Sequence, residues 1–156
     1  MRHRSHPTPS PSGLRVIEAL LVVIVTGAAV AGLAHAAGER SASPDGAKVT
    51  ILSPADGAVV SNPVTIQFGL AGMGVAPAGT DKEKTGHHHL LIDTDLPDLT
   101  LPIPSDEKHR HFGGGQTQTV LELSPGQHTL QLLLGDYLHR PHDPPVTSEV
   151  ITITVE

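Results

Sequence analysis

Histidine is the residue whose number and spacing stand out. The chain of 156 residues carries 11 histidines and no cysteine. Eight of them follow residue 36: His87, His88, His89, His109, His111, His128, His139 and His142. His87, His88 and His89 open an alternating apolar stretch. Side chains alternate across a strand, so His87 and His89 share one face while His88 points to the other with Leu90 and Ile92. Two imidazoles at that spacing can reach one ion. His109 and His111 repeat the spacing just before Gly113-Gly114-Gly115. His139 and His142 lie in a segment that Pro141, Pro144 and Pro145 stiffen, which lowers the entropy cost of holding ligands. Asp143 stands where it can orient a ligating ring. Met73, in Gly-Met-Gly, is the one methionine beyond Met1.

Imidazole suits copper, zinc, nickel and iron, and a thioether shifts the balance toward copper(I). The expected metal ligands are therefore His87, His89, His109, His111, His139, His142 and Met73. Copper is the first expectation and zinc the second. The alternative is that these histidines are loop residues whose hydrogen bonds stiffen long connections. They would then belong to a non-catalytic module that meets a protein or glycan partner.

Other chemistries lack their parts. Asp93, Asp95 and Asp98 hint at a calcium loop, but Asp98 stands where glycine is needed and Pro104 where an acid is needed. Gly113-Gly114-Gly115 lacks the lysine and helix of a phosphate loop, so it serves a turn or a close backbone approach to the histidine loop. There is no Gly-x-Ser-x-Gly elbow and no His-Glu-x-x-His motif. Nothing pairs the acids and histidines with a nucleophile, so a non-enzymatic role is expected.

The elements that must position these residues read as strands. Alternating apolar residues mark 48–52, a short piece at 58–60, 63–70, 87–93, a weak stretch at 98–103, then 117–123, 127–134 and a last strand around Ile151, Ile153 and Val155. No segment after residue 36 shows a helical period. Six to seven short strands with Pro and Gly punctuation predict an all-β, antiparallel immunoglobulin-like sandwich, with a barrel as the runner-up. If 98–103 is a strand, the long connections 71–86, 104–116 and 135–146 emerge at one end and gather seven of the eight histidines, His128 lying at the other. Phe68, Phe112 and Tyr137 are the only aromatics, so the core rests on Val, Leu and Ile.

Arg2, Arg4 and Arg15 precede an uncharged apolar run from Ala19 to Ala34 that ends in Ala34-His35-Ala36. This pattern predicts an N-terminal signal helix over 1–36, cleaved after Ala36, and a periplasmic or otherwise extracytoplasmic domain. An uncleaved anchor is the alternative and the one expected membrane contact. Residues 37–47 then form a flexible lead-in and 48–156 the sandwich. Beyond residue 36, seven Lys and Arg face fifteen Asp and Glu, a formal net of −8. That charge argues against nucleic acid as a partner and leaves a metal ion or a periplasmic protein. Without cysteine the domain holds together by packing alone.

Four ordered blocks carry a resemblance. They are Gly-His-His-His-Leu-Leu-Ile-Asp at 86–93, His-Phe-Gly-Gly-Gly-Gln-Thr at 111–117, Pro-Gly-Gln-His-Thr-Leu-Gln-Leu-Leu-Leu-Gly-Asp at 125–136 and Pro-His-Asp-Pro-Pro-Val at 141–146. Together they resemble the bacterial family called domain of unknown function 4399, over residues 66–155. The resemblance implies an exported bacterial domain and assigns no activity. Residues 48–70, with Ser53-Pro54-Ala55-Asp56-Gly57 and Pro63-Val64-Thr65-Ile66, resemble the opening of bacterial immunoglobulin-like domains, which implies a sandwich and nothing about function.

Overall fold

The computed structural model describes residues 39–156; the expected signal helix and its cleavage site lie outside the described residues. Among the described residues every regular element is a strand. In chain order these are β1 (Lys48–Ser53), β2 (Val59–Val60), β3 (Val64–Ala71), β4 (Gly74–Val75), β5 (Thr85–Ile92), β6 (His109–His111), β7 (Gln118–Leu121), β8 (Gly126–Gly135) and β9 (Ile151–Val155). They form two sheets. The smaller has the order β1-β3-β7, and the larger β2-β9-β8-β5-β4 with β6 also paired to β5.

Alternation builds the layer between the sheets. Val64, Ile66 and Phe68 of β3 point inward, and Thr65 and Gln67 point to solvent. Opposite them stand Leu90 and Ile92 of β5, Leu130, Leu132 and Leu134 of β8, and Ile153 and Val155 of β9. This is the expected all-β sandwich. Most strand pairs are antiparallel, but the short β2 runs parallel to β9 and β4 parallel to β5, so the larger sheet is mixed.

The two central strands of the larger sheet differ from the rest. β5 is buried from Gly86 to Ile92 and β8 from Leu132 to Gly135, on both faces. A strand covered on both sides reads as a continuous apolar run rather than an alternating one, which explains Leu132-Leu133-Leu134. The outer cover comes in part from the 93–108 connection. Its Ile103, with Leu99, packs on Leu91 and Leu133 in a second, smaller cluster.

That cover corrects one expectation. Residues 98–103 are not a strand. Pro97, Pro102 and Pro104 deny the ladder its donors, and Leu99 and Ile103 act instead as plugs in the outer cluster. A strand forms where a loop was expected, at His109–His111, hydrogen-bonded to the free edge of β5. Residues 39–47, the described part of the expected 37–47 lead-in, lie along the domain. Ala42 makes a parallel bridge to Asp143, and Arg40 pairs with Asp143 at 2.6 Å.

Leu132 is fully buried between the sheets and Leu52 is 63% exposed. Leu132→Ala is expected to cost about 2–5 kcal/mol in urea denaturation. Leu52→Ala is expected to stay within about 0.5 kcal/mol of the parent.

Candidate metal centre

Four imidazoles meet on the outer face of the larger sheet. His87 and His89 come from β5, on the face of Leu91, as alternation dictates. His111 comes from β6, where it stands directly opposite His89 in the antiparallel register. His139 comes from the turn that follows β8. The ring centroids of His87 lie 4.9 Å from His89, 5.0 Å from His111 and 5.1 Å from His139. His111 lies 4.9 Å from His89 and 4.8 Å from His139, and the widest separation, His89 to His139, is 6.3 Å. In a flat square both diagonals exceed the edges. Here the His87–His111 separation equals an edge, so the rings occupy the corners of an opened tetrahedron.

Nitrogen atoms of His87, His89 and His111 lie within 4.8 Å of one another, so this group could hold a metal ion. In a tetrahedral zinc site two bonds of about 2.0–2.1 Å place their donors about 3.4 Å apart. Donors standing at the 4.8 Å limit need to close by about 1.4 Å.

Two glycines make the room. Gly135 is the register partner of His87, and a Cβ there would lie 2.9 Å from Nε2 of His89. A Cβ on Gly113 would lie 2.6 Å from Nε2 of His111. The glycine run after His111 therefore serves a close approach, as its composition suggested.

The cluster is starved of hydrogen bonds. His87 and His89 share one bond, Nε2 to Nε2 at 3.0 Å. Nδ1 of both rings and Nε2 of His111 are buried without a partner. A buried polar atom left unpaired costs about 1–3 kcal/mol. Charge is disfavoured as well. Burial, then repulsion from His111 and His139, lowers the pKa of His87 to about 4. Burial, then His87 and His111, lowers that of His89 to about 2. Burial and His139 lower that of His111. These rings are neutral at physiological pH, the form that binds metals.

Residues 66–156 match the family model described as Domain of unknown function (DUF4399). The chain belongs to this family. No curated protein and no solved structure matches the chain. The matched DUF4399 region runs from Ile66 in β3 to the end of the chain and contains all four clustered histidines.

Three of the expected ligands lie elsewhere in this DUF4399 domain. His109 precedes His111 on the same edge strand, opposite Leu91, but its Nδ1 is bound to Asp106 at 2.9 Å. His142 is buried with Nε2 3.2 Å from the Thr85 carbonyl, apart from the cluster. Met73 packs against the core between the sheets, directly after the left-handed turn at Gly72 (φ 75°). Asp143 does not orient a ring; its carboxylate goes to Arg40. The buried carboxylate near the cluster is Asp136, whose charge acts on His87. Nothing in its spacing marks it, except that it is an acid directly after the apolar run of β8. His88 faces the core, 5.1 Å from Phe68, with Nδ1 3.2 Å from the Gln116 carbonyl.

His128 forms a separate group. Nδ1 meets Asp93 at 2.7 Å, and Nε2 lies 2.8 Å from the Ser124 carbonyl and 3.4 Å from Ser124 Oγ. The trio has the residue types of a catalytic triad, but Nε2 donates to the carbonyl and so does not take a proton from Oγ. Burial opposes its charge. The Ser124 carbonyl and the Asp93 carboxylate outweigh burial and raise its pKa.

Two outcomes follow. Gly135→Ala is expected to lose about 1–3 kcal/mol of stability through forced displacement of the rings. Gly114→Ala, whose Cβ would meet only the Gln116 side chain, is expected to be near neutral; equal losses in denaturant titrations would show that no space is reserved for the rings. The second outcome concerns pH. Unfolded histidines titrate near 6.5, whereas His87, His89 and His111 resist protonation when folded. Their stabilisation is complete above pH 6.5 and is lost as pH falls toward 4. His128 acts oppositely, helping below pH 6.5 and losing its effect as pH rises through its raised pKa. Burial lowers the pKa of His88 as well, so with four groups against one the metal-free protein should melt at a lower temperature at pH 5 than at pH 7.5. Leucine at positions 87, 89 and 111 should reduce that difference.

Proposed function

We propose that this DUF4399 protein is an exported metal-binding domain that holds one transition-metal ion between His87, His89, His111 and His139. One observation carries the reading. Ring nitrogens of His87, His89 and His111, from two strands, converge in a buried layer in the neutral form, where His87 and His89 bond only each other and Nε2 of His111 has no partner. An ion would take one nitrogen from each of these rings. The basic N-terminus and apolar run ending in Ala34-His35-Ala36 support export.

The geometry favours zinc(II) over copper(II). The thioether that argued for copper packs against the core, and rings whose centroids form an opened tetrahedron suit zinc better than a square-planar ion. Copper stands above zinc in intrinsic affinity and is the natural competitor. Four protein ligands leave no open coordination position, so the centre retains or carries its ion rather than activating a water.

A second reading, a module for a protein partner, draws on Leu96, Leu101 and Leu138. These are exposed on the two loops beside the cluster. Under that reading metal leaves the melting temperature unchanged.

The test is metal analysis after chelation, reloading and dialysis. One zinc per chain is expected, with a stabilisation of about 2.7 kcal/mol when free zinc is a hundredfold above Kd. Alanine at His87, His89 and His111 should abolish retention, and His139→Ala, on a turn rather than a strand, should weaken it in a folded protein. A wild-type protein that keeps no ion, or a triple variant that keeps it as tightly, would end the proposal.

A further inference from the structure

The four imidazoles reach the centre by two routes. Three stand on paired strands, where the ladder fixes them. The fourth, His139, sits in a turn with a backbone φ of 63°. A residue other than glycine adopts that left-handed conformation when its surroundings enforce it.

Asp136 supplies the enforcement. Its carboxylate is buried, and Oδ1 accepts the N–H groups of Leu138 and Arg140, both at 2.9 Å. Its backbone closes the turn: its carbonyl accepts from His139 N–H at 2.9 Å, and its N–H donates to the Arg140 carbonyl at 2.8 Å. The other oxygen, Oδ2, accepts the Ser41 hydroxyl at 2.9 Å. Ser41 comes from the opposite end of the chain. Its carbonyl accepts Asp143 N–H at 3.0 Å, and Ser43 N–H donates to the Asp143 carbonyl at 3.1 Å. Arg40 bridges Asp143, at 2.6 Å, and the Leu99 carbonyl, at 3.1 Å. The Ile103 N–H binds the His139 carbonyl at 2.7 Å. The segment 40–43 thus ties together the turn that carries His139 and the loop that covers the cluster.

We infer that Asp136 and Ser41 are positioning residues for the fourth metal ligand, so that the N-terminal strap sets how firmly the centre keeps its ion. This rests on the metal-binding reading above. Without the Ser41 hydroxyl, Oδ2 keeps only the longer contact to the Ser41 N–H, at 3.4 Å, and the carboxylate turns toward another donor. The N–H groups of Leu138 and Arg140 are then released and the left-handed turn relaxes. The three strand ligands stay in place and the fourth position opens.

The experiment compares the wild-type protein with Ser41→Ala, Ser41→Thr, Asp136→Asn and His139→Ala. Zinc affinity is read by competition with a chromophoric chelator, and coordination by the visible spectrum of the cobalt(II)-loaded protein. Ser41→Ala and Asp136→Asn are expected to weaken zinc binding about 10–100-fold, the usual cost of losing an outer hydrogen-bond partner of a ligand. Their cobalt spectra should shift toward that of His139→Ala, and Ser41→Thr should restore both readouts. A general loss of stability would not move the spectrum in that direction or be rescued by a hydroxyl. Ser41 lies on a surface segment, so its variants carry the test even if Asp136→Asn does not fold. Wild-type affinity and spectrum in Ser41→Ala overturn this inference and leave the metal reading standing. A wild type that binds neither zinc nor cobalt overturns both.

Discussion

The constraint behind the whole arrangement is that β5 is covered on both faces. A central strand of a sandwich normally buries one face and wets the other, and a polar residue on the wet face costs nothing. Here the 93–108 connection and the turn after β8 close the outer face, so His87 and His89 lie in a dry layer. A neutral imidazole has one donor and one acceptor nitrogen. The mutual bond of His87 and His89 uses one nitrogen of each and leaves the other without a partner. A fold that keeps several such atoms buried carries a free-energy cost. An ion bound by these rings would link metal affinity to fold stability at this one strand.

The residues without side chains matter as much as the rings. Gly135 faces His87 across the β5–β8 ladder and Gly113 backs onto His111. Any larger residue would fill the centre with carbon and force the rings apart. The histidines supply donors, and the glycines supply the volume in which the donors meet.

Much of this was legible in the sequence because it depends on the period of two. Val64, Ile66 and Phe68 fixed the inner face of β3, and the spacing of His87 and His89 placed them together with His88 opposed. What failed depended on what covers a strand, which periodicity does not encode. The apolar alternation at Leu99, Leu101 and Ile103 is real, but the surrounding prolines turn it into a plug rather than a strand. His111 joins the cluster through direct pairing with β5, not through a shared end of the sandwich. Three residues are too few to show a strand pattern, so β6 was invisible. His142 was expected with His139 because the same proline-rich segment holds both. Its ring instead lies beside backbone carbonyls of Thr85 and Leu134.

Asp136 would also bear on the electrostatics of an all-imidazole centre. Imidazole ligands bring no negative charge, so a divalent ion held there would keep its full charge in a buried layer, and burying uncompensated charge is costly. Carboxylates are seldom fully buried. This one is, and it sits close enough to His87 for its charge to oppose the fall in that ring's pKa. The N–H groups and the hydroxyl that it accepts help to hold this buried carboxylate in place. With an ion in place the same anion offsets part of the metal's charge without occupying a coordination position. One carboxylate can then shape the turn that carries His139 and also lower the cost of placing a cation among four imidazoles. An ion held there would have the negative charge close by, while the hydrogen bonds that Asp136 accepts would keep the carboxylate from becoming a ligand.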